Sequence, residues 1–289
     1  MTQEQLKTDL NISEEIRIKD KSSYSFLANN KLISLTYDGA ITVRNIVSGS
    51  LEFKKQTKHQ YIYVINKWIG GLTKKLLSIY EYKNKVLTKR KSIKVLPNCI
   101  SKVDGSQLVF INETDSEIYD FSTSKIKQLK LNFTSNDGQP NKVLAVSLTP
   151  HNIICACQNQ TIYIYDFKGN LINNIHNINY DTMALWSYKN YLIAHVHDFW
   201  NKHLIQIWDI KLGTLVKVLC AKEDIHAITV TEDILIVKTF EQLKSFDLNT
   251  LTLIKKIKHD DPLKRIIYKK PYLIGIDYTS TIIIYKNII

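Results

Sequence analysis

The chain is poor in the residues that most often build small-molecule chemistry. It has 9 glycines in 289 residues, which leaves little scope for Gly-rich ligand loops. Neither G-x-G-x-x-G nor G-x-x-x-x-G-K-[ST] occurs, so the usual backbone cradles for phosphate are missing. The G-x-S-x-G and H-E-x-x-H signatures of hydrolases are missing too. The 4 cysteines, Cys99, Cys155, Cys157 and Cys220, contain no C-x-x-C pair, and a chain of this length can build a core without a disulfide framework. Cys155 and Cys157, two apart in "NIICACQNQ", share a face of a strand and read as small buried hydrophobes. No apolar run approaches the ~18 residues of a membrane helix. The polar opening "MTQEQLKTDLNISEE" has neither the basic nor the apolar region of a secretory leader. A reducing cytoplasmic or nuclear compartment is the expectation. Helical apolar spacing is confined to "TQEQLKTDL" (2–10), which excludes a helical bundle, and the gaps between apolar runs are too short for the helices of a doubly wound α/β fold.

What is present is period-2 alternation, the mark of half-buried strands, and it recurs. "IYIYDFKGNL" (162–171) has relatives in "ITVRNIVSGSL" (41–51), "LSIYEYKNKV" (77–86), "SEIYDFSTSKI" (116–126), "IQIWDIKLGTL" (205–215), "LKSFDLNTLTL" (243–253) and "IIIYKNI" (282–288). Each places an anchor residue, usually aromatic and usually followed by Asp, Asn or Glu, ahead of a new apolar run. The anchors Arg44, Tyr80, Tyr119, Tyr165, Trp208, Phe246 and Tyr285 are spaced by 36, 39, 46, 43, 38 and 39 residues. A single hairpin gives no such period; an array of supersecondary units does. Each unit reads as four short strands, for example 141–149, 152–158, 161–167 and 171–178. All five prolines fall between the strands so drawn, as their missing N–H requires.

The pattern resembles the WD40-like β-propellers, whose units of ~40–45 residues fold into four-stranded blades. "IQIWDIKLGTLVKVL" (205–219), with Trp208-Asp209, and "LISLTYDGAITVRN" (32–45), with Asp38 at a tight turn, carry the resemblance in motif detail. The rest of the chain carries it in periodicity. It is a divergent member of the pattern: the Gly-His pair before the first strand of each unit is missing, and Arg44 and Lys286 stand where an aromatic and an Asp are usual. The resemblance implies an all-β fold, a single β-propeller of seven four-stranded blades, with six as the alternative count. The seventh unit ends at its third strand, and "EEIRIKD" (14–20) supplies the fourth, closing the ring and removing two open sheet edges. Residues 1–13 are then a flexible N-terminal segment and 14–289 the propeller.

Chemistry is thin. In "HVHD" (195–198), His195 and His197 project from one face of a strand beside Asp198. Two histidines fall short of the three protein ligands of a catalytic metal, so no metal, cofactor or catalytic residue is assigned. The formal charge is +12, which suits nucleic acid, an anionic lipid surface or an acidic protein. Of the 39 Lys and Arg, 19 lie in the predicted outermost strands and their flanks, where lysine blocks edge-to-edge association.

The expected function is that of a non-catalytic scaffold for protein–protein interaction, a subunit or substrate receptor of a larger assembly. Two loops stand out on the side where the connections between second and third strands emerge. "HDFWNKH" (197–203) offers Phe199, Trp200, Asn201 and Lys202, and "FTSNDGQPNK" (133–142) offers Phe133 and Asp137. Exposed aromatics are common interface anchors. The alternative is a polyanion-binding surface on the first three units, using Lys54, Lys55, Lys89, Arg90, Lys91 and Lys94.

Overall fold

A computed structural model describes residues 13–286 apart from 20–21, 29, 66–67, 97–99, 105, 113–114, 135–140, 178–179, 199–201, 221–222 and 260. The N-terminal strand is β1 (Ser13–Ile18). Blade 1 follows as β2 (Ser22–Ala28), β3 (Lys31–Thr36), β4 (Ala40–Asn45) and β5 (Leu51–Gln56). Blade 2 is β6 (Tyr61–Ile65), β7 (Trp68–Leu72), β8 (Leu76–Lys83) and β9 (Val86–Lys94). Blade 3 is β10 (Ile100–Asp104), β11 (Gln107–Ile111), β12 (Ser116–Asp120) and β13 (Lys125–Leu129). Blade 4 is β14 (Val143–Leu148), β15 (Asn152–Cys157), β16 (Thr161–Asp166) and β17 (Leu171–His176). Blade 5 is β18 (Asp181–Tyr188), β19 (Tyr191–His197), β20 (His203–Asp209) and β21 (Leu215–Leu219). Blade 6 is β22 (Ile225–Thr231), β23 (Ile234–Thr239), β24 (Gln242–Asp247) and β25 (Thr252–Lys258). Blade 7 is β26 (Leu263–Lys269), β27 (Tyr272–Asp277) and β28 (Ile282–Lys286), completed by β1.

These seven four-stranded antiparallel sheets define a seven-bladed all-β propeller. The fourth strand of the last blade comes from the opposite chain end: Ile16 pairs with Ile284 and Ile18 with Ile282. Among the described residues no helix is long and apolar enough to cross a membrane. The chain divides into two compact units, residues 1–57 with 226–289, and residues 58–225.

Within the second unit, adjacent blades are cemented by the alternation seen in the sequence. Val109 and Ile111 of β11 pack with Val146 and Leu148 of β14 and with Cys155 of β15. Ile154 and Ile164 of blade 4 pack with Leu192 and Val196 of blade 5. In the first unit Ile236 and Leu243 meet Ile266 and Leu273, and Ile18, Ile274 and Ile282 meet Leu32 and Ile46. Each such aliphatic side chain contributes ~1.5–3 kcal/mol on leaving water. Cys155 and Cys157 are free thiols inside this packing, and burial pushes the Cys157 thiol up to about 12.

The acid after the anchor is a turn device. Asp166 Oδ1 accepts from the N–H of Lys168 and Asn170 at 2.8 and 2.9 Å. Asp209 holds Lys211 and Leu212, Asp247 holds Asn249 and Thr250, and Asp120 holds Ser122 and Thr123 in the same way. Asn45 does so for Val47 and Ser48. Blade 2 departs for a geometric reason. Lys83 pairs with Val86, leaving the two-residue turn Asn84-Lys85 at φ 52° and 60°, and Glu81 pairs with Arg90 at 2.7 Å instead.

Two of the anchor tyrosines are contacted by a histidine ahead of a blade's first strand. His59, ahead of β6, places Nε2 2.8 Å from the anchor hydroxyl of Tyr80. His259, ahead of β26, lies edge-on to the anchor Tyr285, ring centroids 5.1 Å apart. Burial holds both imidazoles below their usual pKa, with Lys89 near His59 and Lys238 near His259 adding to the effect.

Candidate functional site

In the first unit, the turns between second and third strands of blades 6, 7 and 1 each carry an exposed aromatic. Phe240 lies between β23 and β24, Tyr278 between β27 and β28, and Tyr37 between β3 and β4. Their exposures are 68%, 59% and 62%, against the near-complete burial of aromatics such as Tyr285 at 1%. The rings lie at the surface because the turns are tight and fixed. In blade 1, Gly39 takes φ 83° and donates its N–H to Thr36 O at 2.9 Å. In blade 7, Ser280 takes φ 68° and donates to Asp277 O at 3.0 Å, while Asp277 Oδ1 accepts from Thr281 N at 2.8 Å. In blade 6 the anchor is a buried cation. Lys238 is 1% exposed, and its Nζ donates to Thr239 O, Phe240 O and His259 O at 2.8, 3.0 and 2.7 Å.

The two tyrosines are also held from the preceding blade by the second residue of its first strand. His226 Nδ1 of blade 6 is 3.1 Å from the Tyr278 hydroxyl, and its ring lies between Phe240 and Tyr278 with centroids 6.0 and 6.2 Å away. Lys264 Nζ of blade 7 donates to Tyr37 Oη at 3.2 Å and to Ser280 Oγ at 2.7 Å. The Ser280 hydroxyl, first, and the Lys264 ammonium hold the Tyr37 phenol below its usual pKa. Beside them the Arg265 guanidinium lies 4.3 Å over the Tyr24 ring. His226 thus joins Phe240 to Tyr278, and Lys264 joins Tyr37 to Ser280 in the turn that carries Tyr278, so the three exposed aromatics form a row across blades 6, 7 and 1. Its sequence signal is an aromatic at one turn position of three repeats, "LTYDGA", "KTFEQL" and "IDYTST"; sequence reasoning passed over it.

The loops singled out from sequence fare differently. Phe199, Trp200, Asn201 and Asp137 lie outside the described residues. Lys202 is exposed and its N–H donates to Asp198 Oδ1 at 2.8 Å. Phe133 requires a correction: it is 4% exposed and packs edge-on against Tyr165 and Tyr163, centroids 5.6 and 6.0 Å away. Its ring belongs to the blade 3–blade 4 core and offers no surface to a partner.

The basic set is exposed, as edge strands are. Lys54 and Lys55 lie on β5, and Lys89, Arg90, Lys91 and Lys94 on β9. Part of it is occupied internally. Arg90 pairs with Glu81, and Lys91 Nζ donates to Ser124 O of blade 3 at 3.2 Å. Lys127 of blade 3 reaches Phe167 O of blade 4 at 2.7 Å, and Asn173 of blade 4 reaches Ile210 O and Lys211 O of blade 5 at 3.4 Å. The fourth strand of each of these blades thus ties down the next blade's turn, which gives several outer-strand polar side chains a structural role.

In blade 5, "HVHD" gains a member from the next strand. His195 Nε2 is 3.1 Å from His203 Nδ1, and burial followed by the neighbouring His203 and His197 brings the His195 pKa down to about 4.

No protein-family model and no curated protein sequence matches the chain. Solved structures do. The Cps50 (Swd1) β-propeller domain of Myceliophteria thermophila superposes with TM-score 0.71 at 10% identity, over 94% of this chain and 99% of that one. The computationally designed Ika8 protein gives 0.68 at 13% identity, over 93% and 97%. Chaetomium thermophilum Raptor gives 0.75 at 11% identity, over 94% of this chain and 28% of that one. At these identities the likeness is one of fold, and it places the chain among the β-propellers.

Proposed function

We propose that the chain is a non-catalytic interaction propeller of the WD-repeat type, a cytoplasmic or nuclear scaffold that docks a protein partner on the Phe240–Tyr278–Tyr37 row. The observation that carries this reading is the repetition of one exposed aromatic at the same turn of three consecutive blades, each fixed by hydrogen bonds. Large rigid side chains at the surface bind with little loss of rotamer freedom, and a row already held in place avoids most of the ordering cost of association. Lys264 and Arg265 supply polar contacts at its edge. The fold-level likeness to the Swd1 propeller domain and to Raptor supports an interaction role in general terms. The connection bearing Phe199 and Trp200 is a secondary contact in this proposal.

The test is an affinity pull-down from nuclease-treated lysate of the source cell, washed at low and high salt, with the wild type and a Phe240→Ala/Tyr278→Ala/Tyr37→Ala variant. A discrete protein retained at high salt by the wild type and lost by the variant supports the proposal. The same protein retained by both rules out this row as the docking surface. Recovery of polyanions alone, lost as salt rises, would move the function to the lysines of β5 and β9.

A further inference from the structure

Blade 5 holds a cluster that the interaction reading leaves unused, and strand register builds it. His197 of β19 lies directly opposite Asp181 of β18 on one side and His203 of β20 on the other. Directly opposed residues of antiparallel strands share a face, and His195, two residues from His197, shares it too. Three imidazoles and a carboxylate therefore stand on one face, contributed by three strands, each of them half-buried.

The spacing of two of them suits a hydrogen bond and also a shared ion. His195 Nε2 and His203 Nδ1 are 3.1 Å apart. Two imidazole nitrogens that share one ion at ~2.0–2.1 Å stand ~2.9–3.4 Å from each other for bond angles of ~90–110°. The third ring, His197, has its centroid 6.0 Å from that of His203. Its Nδ1 faces the Asp198 carbonyl at 3.2 Å, and among the described residues no three His, Cys, Asp or Glu side chains are placed to hold a metal ion as they stand. A third imidazole therefore requires His197 to leave that carbonyl for another staggered rotamer. Asp181 and His197 line a cleft of about 390 Å³ with Lys142, Gln158 and Met183.

We propose that His195, His203 and His197 form a three-imidazole site for a borderline divalent cation of the Zn²⁺ class, with Asp181 beside it and one coordination position left to water or an added ligand. Imidazole donors suit Zn²⁺, Ni²⁺ and Cu²⁺ and disfavour Mg²⁺ and Ca²⁺. The sequence assigns no metal here, because the third histidine joins the pair only when β20 is folded against β19.

The test is titration of the untagged full chain with Co²⁺, followed by visible absorption and by displacement with Zn²⁺. The expected result is one equivalent bound with the intense bands of a tetrahedral nitrogen site, and at least a tenfold loss of affinity in His195→Ala and in His203→Ala. His151→Ala, which alters an exposed histidine elsewhere, should bind as the wild type does. A pale octahedral spectrum, or unchanged affinity in His195→Ala and His203→Ala, would overturn the site. Should those variants fail to fold, carbethoxylation of the wild type with and without Zn²⁺ decides: protection of His195 and His203 upholds it, and equal modification rejects it.

Discussion

Lys238→Met isolates the device that fixes the Phe240 turn. Methionine keeps an unbranched side chain of similar length and removes all three N–H donors. The carbonyls of Thr239, Phe240 and His259 then lose the ammonium that binds them at 2.7–3.0 Å. Leaving a buried acceptor unsatisfied costs ~1–3 kcal/mol. His259 and Thr239 are 4% and 5% exposed, so their carbonyls bear the full penalty, whereas that of Phe240 belongs to a surface turn that water can enter. Removing a buried charge also returns part of its dehydration cost. Together these leave a net loss of ~2–4 kcal/mol. Urea unfolding at neutral pH measures it through the midpoint and slope. A second readout follows from geometry: the freed turn should weaken partner binding more than an equally destabilising change in blade 3 or 4. Stability within ~0.5 kcal/mol of the wild type, the range of ordinary surface substitutions, would refute the view that the caged lysine organises this turn.

Gly71→Ala should destabilise by ~1–3 kcal/mol, the usual range for overpacking, because a Cβ there would lie 2.4 Å from His59 Cδ2; an unchanged urea midpoint would contradict it. Asp209→Ala should lose ~1–2 kcal/mol through the two N–H groups of its turn, while Asp209→Asn should recover most of that by thermal melting. His59 and His259 are held below their ordinary pKa when folded, so the unfolded chain takes up their protons first on acidification. The stability they contribute is present above the unfolded value of ~6.5 and is lost as pH falls below it. Urea midpoints at neutral and mildly acidic pH should show this drop, smaller in His259→Gln; equal drops in variant and wild type would remove His259 from the account.

Much of the fold was legible because the second and third strands of each blade are buried on both sides of a pleat. Runs such as Ile153–Cys157 and Ile162–Tyr165 therefore had to be apolar in a strict order. The role of the N-terminal strand was legible from a missing fourth strand at the other end of the chain, and β1 pairs with β28 as expected. The site was less legible. Phe133 opens the loop 133–142 and was read as part of it, yet its ring folds back on Tyr165. Tyr37, Phe240 and Tyr278 differ from core aromatics only by falling on turns, which shows when the three repeats are aligned turn by turn. His203 joins His195 through cross-strand register, information that no local motif holds. The acid after each anchor was visible, and its task in the turn became plain once the N–H groups it binds were located.

The most direct measurement is the affinity of the purified partner for the wild type and for the Phe240→Ala/Tyr278→Ala/Tyr37→Ala variant, by calorimetry, with urea midpoints measured alongside. Loss of three interface aromatics at ~1 kcal/mol or more each should weaken binding by about 100-fold or more, with the midpoint unchanged. An affinity within twofold of the wild type would contradict docking on this row.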